Sequence, residues 1–290
     1  MVNCILIADS GSTKTDWILS IAENSILEVE TMGINPVRDS QDAIFDVIKN
    51  NLAPKIPHDY NIREIYFYGA GCIAPYKKSV KEVLTEVFGP NARIAVESDL
   101  LGAARALCGN KAGIACILGT GSNSCLYDGN DIIYNTSPLG YILGDEGSGA
   151  FLGKTLVSNV LKKIFSQELQ EAFLKRYNLT PSIIINKVYR EPMPNRFLAS
   201  LVPFLAEHKE ETEIHDMLIW AFRQFFVRNV KAYRHPEMEI NMVGSIAFYF
   251  EKEITEAAAK EGLTIGKILK KPAQEIAVFH RKSLFSSGKC

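Results

Sequence analysis

The stretch Ile117-Leu118-Gly119-Thr120-Gly121-Ser122-Asn123-Ser124 repeats, deep in the chain, the chemistry of Ala8-Asp9-Ser10-Gly11-Ser12-Thr13-Lys14-Thr15 near its start. In each case a short apolar run, Ile5-Leu6-Ile7 or Ile114 to Leu118, enters a Gly/Ser/Thr turn. The chain then leaves through a second β-like run, Trp17-Ile18-Leu19 or Cys125-Leu126-Tyr127. The pattern predicts two β-hairpins whose turns present backbone N–H groups and hydroxyls. Glycine lets a ligand approach such a turn closely, and a concave row of N–H groups favours an anion, most often phosphate. Neither turn matches G-x-x-x-x-G-K-[ST], and neither has the strand-to-helix setting of a dinucleotide fingerprint. One such turn would be ordinary turn chemistry. Two of them imply one split site.

Gly11-Ser12 and Gly121-Ser122 stand 110 positions apart, about the length of one compact α/β unit. The chain is therefore expected to form two similar lobes, residues 1–110 and 111–290, with a cleft between them and the last residues able to pack back on the first lobe. Within the first lobe, strands are predicted at Ile26–Thr31, Glu64–Tyr68 and Ile94–Val96. Helices are predicted at Asp42–Leu52, Tyr76–Phe88 and Leu100–Leu107, the last with Gly109 as its stop. The second lobe begins with β structure from Ile114 to Tyr134. Helical stretches follow over Ala150–Phe165, Gln167–Tyr177 and Ile214–Tyr233, then a strand at Ile240–Val243 and a helix after Gly244-Ser245. The fold class is α/β.

The 290 residues are 47% hydrophobic, ample for buried cores, and a net charge of -1 gives no electrostatic reason to expect nucleic acid or an anionic membrane surface. No apolar run approaches the ~18 residues of a membrane span, and the first residues do not read as a signal peptide. A soluble, cytoplasmic protein is expected. The six cysteines include no C-x-x-C pair and no Cys/His ligand spacing, and read as separate reduced thiols. The five histidines share no spacing that suggests a metal site or a triad.

With these segments assembled, the chain resembles the sugar kinase, heat-shock 70 and actin superfamily, and within it the N-acetylglucosamine kinase-like ATPases. The first hairpin looks like the family's first phosphate motif, Gly119-Thr120-Gly121-Ser122-Asn123 like its second, and Val243-Gly244-Ser245-Ile246-Ala247 like its adenosine motif. Glu97-Ser98-Asp99 leading into Leu100-Leu101-Gly102-Ala103-Ala104 resembles the catalytic-aspartate segment. Gly144-Asp145-Glu146-Gly147-Ser148-Gly149 resembles the acidic segment of N-acetylglucosamine kinases. The resemblance implies two ribonuclease H-like, actin-like ATPase lobes, Mg²⁺-ATP as cofactor, and phosphorylation of an amino sugar, N-acetylglucosamine, at its 6-hydroxyl. A homodimer stays open as the assembly.

The chemistry fits those positions. Phosphoryl transfer asks chiefly for positioning and charge neutralisation. Asp9, at a strand end facing the turn, can support a hydrated Mg²⁺, a role weighed against an Asx-turn cap. Gly11, Ser12, Thr13, Gly119, Thr120 and Gly121 would meet the phosphates through N–H groups and hydroxyls, and Lys14 either adds a cation there or is solvated. Gly244 and Ser245 would lie against the adenosine, or form a plain strand-to-helix turn. Asp99, ahead of a helix, reads as an N-cap on its own; the resemblance makes it the general base for the sugar hydroxyl. Asp145 is similarly placed between helix capping and hydrogen bonding to sugar hydroxyls. The resemblance further gives Asn35, Asn123 and Gly140 to the substrate, where Asn35 and Asn123 could equally be loop residues. Where the family often carries a Trp between glycines, this chain has Pro138-Leu139-Gly140. The competing expectation is an ATPase activator of a 2-hydroxyacyl-CoA dehydratase-type electron-transfer system, which shares the fold and would hold an iron–sulfur cluster through cysteines such as Cys72 and Cys108.

Overall fold

The computed structural model describes residues 2–11, 13–22 and 25–286. Its contacts divide the chain into two compact units, Met1–Lys111 with Asp128–Ile132 and Lys271–Cys290, and Ala112–Tyr127 with Ile133–Lys270.

The first unit opens as an antiparallel meander of β1 (Val2–Ser10), β2 (Lys14–Ala22) and β3 (Ser25–Met32). Helix α1 (Gln41–Asp46), β4 (Tyr60–Gly69), α2 (Lys77–Phe88), β5 (Arg93–Ser98) and α3 (Asp99–Cys108) follow. The sheet order is β3-β2-β1-β4-β5, and β1, β4 and β5 run parallel. Cys4, Leu6 and Ala8 of β1 point into one core with Trp17, Phe67 and the apolar faces of α1 and α2. A central strand buried on both faces needs such a continuous apolar run, which is why it is legible in sequence. The opposite face carries α3, whose Gly102 leaves room for Tyr68: a Cβ there would lie 2.8 Å from the ring. The expected helix over 42–52 is α1 continued by a π-helical turn, Val47–Leu52. Parallel register aligns Ser10 with Gly69 and Gly69 with Ser98, so three strands end at one edge, where open α/β sheets offer ligand sites.

The second unit repeats this plan. Its hairpin is β6 (Gly113–Leu118) and β7 (Ser122–Tyr127), followed by β8 (Ile132–Thr136), α4 (Gly140–Leu143) and α5 (Gly149–Leu161). A helical stretch contains α6 (Gln167–Arg176), α7 (Pro181–Tyr189), α8 (Pro194–Ser200), α9 (Val202–Glu207) and α10 (Thr212–Phe225). Then come β9 (Ile240–Val243), α11 (Ser245–Tyr249), α12 (Glu251–Lys260) and β10 (Ile265–Leu269). The sheet order β10-β9-β6-β7-β8 is that of the first unit with each strand replaced by its counterpart five strands later. The duplicated turn in the sequence is thus one visible part of a duplicated sheet.

Helix α13 (Ala273–Ser286) returns to the first unit and packs on α3, β1 and β2. Its anchor is buried His280, stacked on Tyr66 with ring centroids 3.5 Å apart and 2.6 Å from the Tyr68 hydroxyl. Arg105 of α3 donates to the same hydroxyl at 2.7 Å. Arginine only donates, so the hydroxyl accepts from Arg105 and its own O–H can be given to Nε2 of a neutral imidazole. Burial first, then the charges of Arg105 and Arg93, lower the His280 pKa to about 3. Among the described residues no helix is long and apolar enough to cross a membrane.

Candidate active site

In the first unit, Asp9 is the penultimate residue of β1, opposite Asp16 across the hairpin and beside Tyr68 in β4. Burial, then the negative charges of Asp99 and Asp16, raise its pKa to about 7, against the opposing effect of Lys14 and Lys271. Lys14 lies on this strand face rather than at the turn apex, 3.2 Å from Asp16 Oδ1 and 2.9 Å from Glu30 Oε2. Lys271 donates to Asp16 Oδ1 at 2.8 Å. Two facing carboxylates, one poorly solvated, fit a Mg²⁺ ion that keeps its waters and takes one or two protein oxygens. They do not make an all-protein cage: among the described residues no group of three or more His, Cys, Asp or Glu could hold a metal.

The first turn is held from outside the hairpin. Gly11 N–H donates to the Lys14 carbonyl and Gly33 N–H to the Thr13 carbonyl, both at 3.0 Å. A Cβ on Gly33 would collide with the Gly11 carbonyl and lie 2.8 Å from Lys14 N, so a side chain there must displace the turn. A Cβ on Gly11 would lie 3.7 Å from the Lys14 carbonyl, an ordinary contact. The hydroxyls of Ser10 and Thr15 are 2.7 Å apart; that of Ser10 also donates to the Ile34 carbonyl and that of Thr15 to Met32, each at 3.0 Å. Of the first-turn hydroxyls these two are therefore spent inside the fold, while Thr13 is exposed. Ser12 lies outside the described residues.

Asp99 is the first residue of α3, and the capping role weighed for it belongs instead to Ser98, whose Oγ accepts the Leu101 N–H at 3.3 Å. Asp99 Oδ1 accepts the neighbouring Leu100 N–H at 2.9 Å. Burial raises its pKa to about 6, partly offset by that bond. Asn35 makes a turn: Oδ1 accepts the Val37 N–H at 3.1 Å, and its carbonyl accepts Arg38 and Asp39 N–H groups. The left-handed Gly71 (φ 77°) brings its backbone against the same side-chain oxygen.

In the second unit, α5 pins the other turn. Gly149 N–H donates to the Gly119 carbonyl at 2.8 Å and Ala150 N–H to Thr120 at 3.0 Å. Capping of α5 falls to Ser148, whose Oγ accepts the Phe151 N–H at 3.2 Å, and not to Asp145 or Glu146. Asp145 is buried in the left-handed region (φ 55°), its Oδ1 accepting the Ser122 N–H at 3.2 Å. Burial raises its pKa to about 6, with the Ser122 bond opposing and the Glu146 charge adding. Gly244 (φ 124°) brings the β9–α11 turn onto the end of β6: a Cβ there would collide with the Leu118 carbonyl and lie 3.3 Å from Gly119 N. The fold thus gathers Gly119 to Gly121, Asp145 and Gly244 around one turn, with Ser245 exposed beside it. Asn123, in β7, accepts with Oδ1 from Ser124 N–H and Asn135 Nδ2, both at 2.9 Å. Gly140 (φ 72°) opens α4, and a Cβ there would meet nothing within 4 Å.

Cys72 is buried, its thiol pushed up to about 12 chiefly by that burial, and Cys108 is half-buried. Sequence reasoning missed Gly33, Asp16 and Lys271. Asp16 had a usable signal, since a hairpin that pairs Ser10 with Thr15 puts it opposite Asp9; Gly33 and Lys271 had none beyond composition.

A protein of Porphyromonas gingivalis described as a candidate N-acetylglucosamine kinase superposes with a TM-score of 0.93 at 45% identity, over 97% of this chain and 99% of its own. The chain belongs to the N-acetylglucosamine kinase-like family. A candidate N-acetylglucosamine kinase of Chromobacterium violaceum matches this family member with a TM-score of 0.73 at 17% identity, over 96% of this chain and 98% of its own. MreB5 of Spiroplasma citri matches at 0.56 and 10%, over 99% and 97%. At those identities the likeness is one of fold, the actin-like ATPase fold that the duplicated sheets of this kinase-family chain display. No protein-family model and no curated protein searched matches the chain.

Proposed function

We propose that this sugar kinase transfers the γ-phosphoryl group of ATP to the 6-hydroxyl of N-acetylglucosamine, in the cytoplasm. The observation that carries the reading is Asp99: a carboxylate relieved of capping by Ser98, held by the Leu100 N–H, with a pKa of about 6. A general base works best when its pKa lies near the working pH, because it must be ionised yet still want the proton. Asp99 takes the hydroxyl proton as the sugar oxygen bonds to the γ-phosphorus; the bond from that phosphorus to the bridging oxygen breaks, and ADP leaves with the electron pair. The first-turn N–H groups with Thr13, and the second-turn groups with Thr120, hold the phosphates. Gly244 and Ser245 take the adenosine. Asp9, with Asp16 beside it, would hold Mg²⁺, which supplies charge neutralisation at the phosphates when bound. Asp145 accepts from sugar hydroxyls, and Asn35, Asn123 and Gly140 complete the sugar contacts. The 45%-identical neighbour supports the amino sugar.

A coupled ADP-release assay across N-acetylglucosamine, glucosamine, N-acetylmannosamine and glucose tests this reading. N-acetylglucosamine is expected to give the highest kcat/KM. ATP turnover independent of every sugar, or a clear preference for glucose, overturns it.

A further inference from the structure

Helix α10 does not end cleanly. After Phe225 it runs on as a π-helical turn, Phe226–Val230, and then a 3₁₀ turn, Lys231–Tyr233. Such turns are frequent at functional sites, because the extra residue breaks the regular ladder and re-aims side chains. Here they aim two. Asn229, 5% exposed, donates from Nδ2 to Glu146 Oε2 at 3.2 Å, and its carbonyl accepts the Thr136 hydroxyl at 2.9 Å. The Tyr233 hydroxyl lies 2.6 Å from Ser124 Oγ and accepts the Thr136 N–H at 3.3 Å. One irregular helix end therefore ties down the acidic segment, the end of β8 and the residue of β7 that follows Asn123.

Glu146 is the immediate neighbour of Asp145, whose left-handed backbone persists in a non-glycine residue only when its surroundings hold it. On the amino side the hold is the Asp145 N–H on the Pro138 carbonyl, at 3.1 Å. On the carboxyl side it is the buried Glu146 carboxylate on Asn229, with Arg228 Nη1 at 3.7 Å.

We infer that Asn229 is a positioning residue for the sugar: through Glu146 it sets the orientation of Asp145, and so governs sugar affinity without touching the nucleotide. The inference rests on the proposed role of Asp145 in sugar binding. A hydrogen bond to a buried charged group, once lost, weakens what depends on it on the order of 10- to 100-fold. Asn229→Asp sets a second carboxylate against Glu146 and breaks the anchor. Combining it with Glu146→Gln restores a donor–acceptor pair with the roles exchanged.

The experiment measures affinity for N-acetylglucosamine and for Mg-ATP by calorimetry, together with amide exchange over residues 144–150 in ligand-free protein, for wild type, Asn229→Asp and the double variant. Expected are sugar affinity about 10- to 100-fold weaker in the single variant, ATP affinity within about 3-fold, faster exchange over 144–150, and recovery of both signals in the double variant. Equal losses for sugar and ATP, unchanged exchange, no recovery in a folded double variant, or failure of both variants to fold would assign Asn229 to the scaffold and overturn the inference. Wild-type protein that binds ATP but no amino sugar would instead overturn the proposed function, and the exchange data would still decide whether Asn229 positions the segment.

Discussion

The carboxylate of Asp145 lies over Gly121, with Oδ2 3.0 Å from where a Cβ on that glycine would sit. Its other oxygen accepts from the next backbone N–H, that of Ser122. The group proposed to read the sugar and the turn proposed to hold phosphate are therefore joined by a hydrogen bond, with no room for a side chain between them. Gly121→Ala is expected to push Asp145 off Ser122 and to raise KM for both sugar and ATP by about 10-fold, with a stability loss of about 1–3 kcal/mol for overpacking. Asp145→Asn, which keeps the shape and the acceptor, is expected to raise the sugar KM alone. Steady-state kinetics with each substrate varied would separate the two; a Gly121→Ala enzyme with wild-type constants would mean that the carboxylate shifts freely.

Asp99→Asn preserves size and the Leu100 contact but removes the base. A kcat lower by on the order of 10²- to 10⁴-fold is expected, with ATP affinity little changed. Because Ser98 carries the cap, the melting temperature should hardly move, whereas Ser98→Ala should cost about 1 kcal/mol. Retention of kcat within a few-fold in Asp99→Asn would remove this residue from the mechanism.

The same aspartate fixes a pH dependence. With a pKa raised to about 6 by burial, Asp99 is the ionised base above that pH and a protonated, inactive acid below it. The expected kcat profile is level at neutral pH and falls tenfold per unit on the acid side of about 6. An acid limb centred near 4, the ordinary carboxylate range, would show that Asp99 is better solvated in the working enzyme.

The hairpins were legible because a Gly/Ser/Thr turn between two apolar runs has few other solutions, and the repeat at Gly121 lies in a second sheet of the same order. The capping alternative weighed at Asp99 and Asp145 goes to other residues for one reason. A serine stood close by, at Ser98 and Ser148, and the choice between two good caps is made by the backbone angle at the helix entrance, which residue type does not encode. Helices α7 to α9, strand β10 and helix α13 were not anticipated. Helices α7 to α9 are short, and their apolar faces, such as Leu198, Leu201 and Phe204, acquire meaning only against the core of the second unit. Gly33 and Lys271 join the candidate site through tertiary contact alone.

His280 supplies a test of how α13 is held. Its imidazole is neutral in the folded chain, with a pKa of about 3, and titrates near 6.5 when unfolded. Between those values the unfolded chain binds a proton that the folded chain does not. The histidine therefore favours unfolding progressively as pH falls from about 6.5 toward about 3, and contributes no pH dependence above 6.5. The carboxylates of Asp9, Asp99 and Asp145 work the other way, since each takes up its proton in the folded state at a higher pH than in the unfolded. The sum of the two trends hides either one, so the comparison has to be with a variant. His280→Gln keeps an acceptor for the Tyr68 hydroxyl and does not titrate. Denaturant unfolding at pH 7.5, 6 and 5 should show the stability of wild type falling relative to the variant by on the order of 1 kcal/mol per pH unit below about 6.5, and a constant difference above it. A difference that stays constant down to pH 5 would mean that the imidazole accepts a proton in place, and that the Tyr68 hydroxyl does not depend on it as an acceptor.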